Sequence, residues 1–180
     1  MKYIVLSDIH GSLKTFNELL KIAEKEKIDK FVLLGDVLYH GPRNPLPEGY
    51  NPKELAAHMN DLKLDIVAVR GNCDAEVDQM VLDYEILIND RIVRINNKNM
   101  AMSHGHHKNE DVLPEGDYDI FAYGHTHLPV LKKENDLIIL NPGSLTLPKQ
   151  NNPKSFAVID DNGIEIRKLE DNSVISSLVY

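Results

Sequence analysis

The chain has 180 residues, 42% of them hydrophobic and 27% charged, with a formal net charge of −8. That length suits a single domain over 1–180 with a substantial core, and the mix is globular rather than disordered. The acidic balance argues against general nucleic-acid binding and against anionic membranes, which need basic patches, but leaves an anionic substrate open because bound cations invert the field locally.

Residues 3–7 are a short apolar run and predict a buried strand. It meets Asp8 and His10 too soon to be a signal peptide, and no later stretch is long enough to span a membrane. From Leu13 to Lys27, apolar residues at 13, 16, 20 and 23 predict an amphipathic helix capped by Ser12. A second strand over 30–34 ends at Gly35-Asp36. A proline- and glycine-rich loop, 39–50, leads to a helix opened by Asn51 and Pro52, with Glu54 completing a capping box. A third strand, 66–69, ends at Arg70-Gly-Asn-Cys-Asp74. This alternation predicts parallel strands joined by right-handed crossovers. The second half predicts short strands at 85–88, 91–95, 98–103, 119–123, 130–134, 137–140, 155–160, 163–168 and 173–179. Asn97-Lys98 and Asn162-Gly163 mark turns between them. The whole reads as an α/β domain of two sheets packed face to face with helices outside.

The chemistry-bearing side chains fall just beyond the strand ends. Asp8 and His10 follow the first strand, Asp36 the second and Asn72 the third. His104 follows the strand ending near Ser103, and His125 and His127 follow the one ending at Tyr123. Ligands of open parallel sheets bind beyond the carboxyl ends of the strands. Most of these residues have a glycine neighbour, which permits the sharp turn that aims a side chain into a crevice. Alone, an aspartate in such a place is more often a helix cap than a ligand. The set of D-x-H, G-D, G-N, H-G and G-H-x-H in this order is not explained by capping. Carboxylate, amide and imidazole together suit manganese, iron, zinc or cobalt better than a thiolate set would. Two such ions, sharing one carboxylate and a bridging hydroxide, would activate a water against a phosphoryl group.

These motifs resemble the calcineurin-like metallophosphoesterases, over about Met1 to Ser144. GDVLYHGPRN at 35–44, LPEGY at 46–50 and VRGNCDAEVDQM at 69–80 are similar to the bacterial YfcE-type phosphodiesterases. The resemblance implies a four-layer α/β/β/α sandwich of two mixed sheets with flanking helices. It implies that Asp8, His10 and His127 hold one metal and Asn72, His104 and His125 the other. Asp36 bridges the two, and Asn72 also faces the substrate phosphate. It further implies manganese as the usual metal, with iron, zinc, cobalt, nickel or magnesium as alternatives, and a homo-oligomer. Many relatives carry a histidine after Gly-Asn that protonates the leaving group, oriented by the following acid. Here that place holds Cys73, followed by Asp74, and a thiol is a poorer proton donor than imidazolium at neutral pH. The plainer reading of Cys73 is a small half-buried residue.

Cys73 is also the only cysteine, so no internal disulfide exists and a cytoplasmic compartment is expected. Arg43, in the 39–50 loop, is a candidate phosphate contact, because a guanidinium fork suits phosphate oxygens; the alternative is a solvated loop arginine. His40 and His106 flank the proposed site loops. His58 and His107 read as surface, and Asn141-Pro-Gly-Ser144 as a turn near the cleft. The expected function is hydrolysis of small phosphodiesters. The alternatives are a phosphomonoesterase and a scaffold on the same fold, as in the retromer subunit that resembles these enzymes. Retention of all seven ligands favours catalysis.

Overall fold

The computed structural model describes residues 1–180. In chain order the elements are β1 (Tyr3–Leu6), α1 (Leu13–Glu26), β2 (Lys30–Leu33), α2 (Pro52–Asp61), β3 (Ile66–Ala68) and a one-turn α3 (Glu76–Gln79). There follow β4 (Asp90–Ile95), β5 (Lys98–Ser103), β6 (Ile120–Ala122), β7 (Pro129–Glu134), β8 (Leu137–Pro142), β9 (Ser155–Ile159), β10 (Gly163–Lys168) and β11 (Val174–Val179). They build a six-stranded sheet, β11-β10-β9-β1-β2-β3, and a five-stranded sheet, β4-β5-β6-β8-β7. Both are mixed. β1, β2 and β3 run parallel, as do β5, β6 and β8, with antiparallel strands completing each sheet.

The period-two alternation of β1 and β2 assigns their faces. Ile4, Leu6, Phe31 and Leu33 point toward the helices, where they pack with Phe16 and Leu19 of α1 and Leu55 and Met59 of α2. Tyr3, Val5, Val32 and Leu34 point to the other side and meet Met100, Met102, Ile120 and Leu140 of the second sheet. Burial on both faces is why these strands read as unbroken apolar runs. Ser12 caps α1 by accepting the Thr15 N–H, and Asn51 caps α2 by accepting the Glu54 N–H, each at 3.3 Å. A smaller cluster around Phe121, Tyr123 and Ile139 lies on the outer face of the second sheet. The β5–β6 connection reaches over it, with Tyr123 donating to Glu110 at 3.1 Å. No helix is long and apolar enough to cross a membrane.

One expected strand does not form. Residues 85–88 are extended but unpaired in either sheet. Ile86 is fully buried against the helical core, and its N–H donates to Gln79 Oε1 at 2.8 Å, while the Ile88 carbonyl accepts from the Arg70 N–H at 2.8 Å. The apolar run reflects packing, and a side chain and a loop serve its backbone groups in place of a ladder.

Candidate metal centre

The C-terminal ends of β1, β2, β3, β5 and β6 open at one edge of the sandwich. The loops that leave them are tied together. Asp8 N–H donates to the Gly35 carbonyl at 3.1 Å, His10 N–H to the Asp36 carbonyl at 2.9 Å, and Gly124 N–H to the His104 carbonyl at 2.7 Å. Five of the seven expected ligands adopt the left-handed backbone region: Asp8 (φ 56°), His10 (50°), Asp36 (56°), His125 (65°) and His127 (61°). The turn is therefore made by the polar residues themselves as well as by their glycine neighbours. Gly71 serves close approach instead, because a Cβ there would lie 2.1 Å from Asp36 Oδ1.

Asp8, His10 and His127 form one compact group, and Asp8, Asp36 and His104 another. Asp8 Oδ1 lies 3.1 Å from His127 Nε2, 3.5 Å from His10 Nε2 and 4.0 Å from His104 Nε2. Asp36 Oδ2 stands between His10 Nε2 at 3.8 Å and His104 Nε2 at 3.4 Å. Asn72 Oδ1 is 3.1 Å from His104 Nε2. His125 joins less directly. Its ring packs edge-on to His104 with centroids 5.1 Å apart, and its backbone N–H donates to Asp8 Oδ2 at 3.0 Å.

This donor set fits divalent cations. The Nδ1 atoms of His10, His104 and His127 face the backbone carbonyls of Tyr39, Leu34 and Leu147. A carbonyl only accepts, so each Nδ1 carries hydrogen, and in the neutral ring Nε2 presents a lone pair inward. His10 Nε2 and His127 Nε2 confront each other at 3.3 Å. Asp8 Oδ1 is buried beside them without a hydrogen-bond partner. Converging lone pairs around an unpartnered buried carboxylate oxygen repel one another unless a cation sits among them.

The charges point the same way. Burial opposes ionisation of Asp8, but the imidazoles of His10, His127 and His104 gathered around it prevail and hold its pKa well below the usual carboxylate range. Burial likewise opposes protonation of His104, but the hydrogen bond to Asp36 and the Asp8 and Asp36 charges raise its pKa to about 9. The two carboxylates thus favour positive charge at this place. His125 is shifted down by burial and by His104, which leaves its ring neutral.

Residues 1–163 match the calcineurin-like phosphoesterase superfamily domain. The chain belongs to this superfamily. It is 40% identical over 179 residues to phosphodiesterase YfcE of Escherichia coli, covering 99% of this chain and 97% of that protein. It is 27% identical over 151 residues to phosphodiesterase MJ0936 of Methanocaldococcus jannaschii, covering 79% and 83%. The solved structure of the E. coli phosphoesterase superposes with a TM-score of 0.95 at 39% identity, over 99% of each chain. Vacuolar protein sorting 29 of Cryptosporidium parvum shares the fold, with a TM-score of 0.66 at 18% identity over 99% and 98%. The chain is a metallophosphoesterase-type hydrolase, with two mixed sheets flanked by helices as the sequence predicts.

In this phosphoesterase four of the seven residues, Asp36, Asn72, His125 and His127, line a cavity of about 340 Å3. Arg43 lies on its rim, and Lys149, which sequence reasoning passed over, lies there too. Lys149 carries no motif; its place follows from the neighbouring Leu147 carbonyl that holds His127. The Asn141–Ser144 turn also acts on the site. Asn141 Nδ2 donates to the Gly124 carbonyl at 2.9 Å and to Thr126 Oγ1 at 3.1 Å, and Ser144 Oγ donates to the Asp8 carbonyl at 3.0 Å. Asp74 accepts the N–H groups of Asp36, Val37 and Gly71. Cys73 borders the cleft half-buried, and burial followed by the nearby Asp36 charge pushes its thiol well above the usual range. His106 packs 5.4 Å from His104, ring to ring, and burial with His104 takes its pKa down to about 4. His40 lies between Tyr39 and Tyr50. His58 is on α2, and His107 is exposed with its ring 4.1 Å from that of His106.

Proposed function

We propose that this chain is a dinuclear metal-dependent phosphodiesterase acting on small phosphodiesters. The observation that carries the reading is Asp36 Oδ2 between His10 Nε2 and His104 Nε2, with the unpartnered Asp8 Oδ1 alongside. Asp8, His10 and His127 would hold one ion, Asn72, His104 and His125 the other, and Asp36 both. Manganese is the proposed metal, with iron, zinc, cobalt, nickel or magnesium able to use the same donors. Bound there, a pair of divalent ions supplies an activated water as nucleophile and positive charge for the phosphoryl oxygens.

The chain's own groups supply the rest. The carbonyls of Tyr39, Leu34 and Leu147 keep three imidazoles in the ligating tautomer. Asn72, exposed at the cleft, and Arg43 on its rim orient the phosphate. Cys73 holds its proton too tightly to release it to a leaving group at neutral pH. Departure then relies on leaving groups that are stable as anions, which favours activated diesters over alkyl monoesters. A cytoplasmic homo-oligomer completes the proposal. A scaffold role, suggested by the shared fold with vacuolar protein sorting 29, is less favoured because a scaffold has no need of seven converging donors.

The test joins metal analysis to a substrate panel. About two ions per chain, and manganese-dependent hydrolysis of bis(p-nitrophenyl) phosphate that is lost to a chelator and regained on reloading, are expected. Sub-stoichiometric metal with no diester hydrolysis would point to the scaffold instead.

A further inference from the structure

A second cavity, of about 680 Å3, adjoins the metal cleft and shares Cys73 with it as a common wall. The segment from Tyr39 to Pro42 divides the two: Tyr39 lines the second cavity, while Gly41 and Pro42 line the cleft. That divider is pinned to the site, because the Tyr39 carbonyl accepts from His10 Nδ1 at 3.0 Å. The two cavities differ in chemistry. The cleft is almost wholly polar, with one hydrophobic residue among its ten, whereas nine of the thirteen residues around the second cavity are hydrophobic. Tyr39 and Tyr50 stand on either side of His40 at edge-on ring distances of 4.9 and 5.1 Å, which fixes two aromatic walls. Val77 and Val81, in the same lining, are 63% and 51% exposed, so apolar surface is left open to water beside a charged centre.

We propose that this groove is the subsite for one ester arm of the diester, an aromatic or similarly apolar group that lies against Tyr39 and Tyr50 while the phosphate occupies the cleft. The proposal rests on the phosphodiesterase reading and extends it to a substrate class. Cys73 lines both cavities, so an ester arm of a phosphate held in the cleft would have the groove beside it. Volume and lining match those of small-molecule pockets, which run from roughly 300 to 1,000 Å3 and are mostly apolar. Adjacency to the cleft across Cys73 favours this occupant over a second copy of the chain.

Competitive inhibition of the manganese-loaded enzyme by diphenyl phosphate and dimethyl phosphate tests it without ambiguity about which arm leaves. Diphenyl phosphate should inhibit about tenfold or more tightly than dimethyl phosphate, the gain expected from covering one aromatic ring. Ala57→Glu and Val77→Glu, at two exposed groove positions, should bring that ratio close to one. Because both inhibitors carry the same charge, the ratio cancels any general repulsion by the new carboxylate. Val174→Glu, on the far edge strand β11, should keep the wild-type ratio. A ratio near one in the wild type, or a ratio unaltered by both groove variants, overturns the subsite while leaving diester hydrolysis standing. Absence of any diester hydrolysis by the wild type overturns the phosphodiesterase reading and the subsite together. If sedimentation shows a wild-type dimer that Val77→Glu splits without altering the ratio, the groove is an interface between copies and the proposal fails.

Discussion

Replacing Asp74 should damage both stability and metal retention, although Asp74 is not itself a ligand. Its carboxylate is buried and accepts three backbone N–H groups, from Gly71 at 2.7 Å, Asp36 at 2.8 Å and Val37 at 2.9 Å. It thereby clamps the loop after β2, which presents Asp36, to the loop after β3, which presents Asn72. Asp74→Ala orphans all three donors. At about 1–3 kcal/mol for each buried unsatisfied group, offset by some water entry, the loss should be about 3–6 kcal/mol. For a chain of this size that lowers the melting temperature by roughly 10–20 °C. Asp74→Asn keeps one acceptor oxygen and should lose less. The difference between wild type and Ala should also depend on pH. Burial, then the Asp36 charge, raise the Asp74 pKa to about 6, above the unfolded carboxylate value of about 4. A folded pKa above the unfolded one means that the group's contribution is largest in acid and is lost as pH rises from about 4 to 6. In chelator-treated protein, wild type should therefore exceed the Ala variant by about 1 kcal/mol more at pH 5 than at pH 7. Calorimetric melts at the two pH values, with metal content measured on the same samples, supply the comparison. An Ala variant that melts within about 3 °C of wild type and retains the same metal would refute the clamp.

Cys73→His should raise turnover on esters with unactivated leaving groups by about tenfold or more, since a placed general acid contributes 10²-fold and upward; unchanged turnover with the metals still bound would remove the leaving-group argument. Arg43→Ala should lower kcat/KM for diesters by roughly tenfold or more, the weight of one charge-assisted hydrogen bond, and unaltered kinetic constants would return Arg43 to the solvated loop. Metal binding should release protons. The His104 pKa of about 9 in the metal-free protein exceeds the unfolded value, so protonated His104 contributes stability below about pH 6.5 that fades as pH climbs to 9. A ligating imidazole must be neutral, so manganese loading at pH 7.5 should liberate about one proton per chain, read by calorimetry in buffers of different ionisation enthalpy. A buffer-independent heat would contradict the His104 assignment.

Much of this architecture was legible because period and punctuation agreed. β1 and β2 declared themselves as unbroken apolar runs, and Ser12, Asn51 and Pro52 marked the helix starts where the structure caps them. The run at 85–88 misled because an apolar segment packed on a core has the composition of a strand whether or not a ladder forms beside it. Ligand candidates were legible through their place after strand ends. The Asn141–Ser144 turn was legible as a neighbour of the cleft but not in what it holds, because its contacts are to distant loops, and Lys149 was not legible at all, because it carries no spacing of its own. The apolar groove was equally hidden: Tyr39, Tyr50, Ala57 and Val77 come from separate segments that only the fold brings together.

What the sequence conceals most completely is the tension in the site. Each left-handed non-glycine residue costs of order 1–3 kcal/mol, and Asp8, His10, Asp36, His125 and His127 all carry that cost within one cluster. The same five side chains crowd acceptors together, with two imidazole nitrogens 3.3 Å apart and a carboxylate oxygen unpartnered beside them. Backbone strain and lone-pair repulsion both oppose this arrangement in the absence of cations, and neither is relieved by moving one residue, because the Asp74 clamp, the Asn141 tether and the three imidazole–carbonyl bonds hold the loops in place. A fold that stabilises its own sheets with two full hydrophobic cores can tolerate such a site, and the site in turn presents its donors already convergent. Pre-arranged donors mean that a cation meets little reorganisation on entry, so the strain held in the loops becomes affinity for the metals.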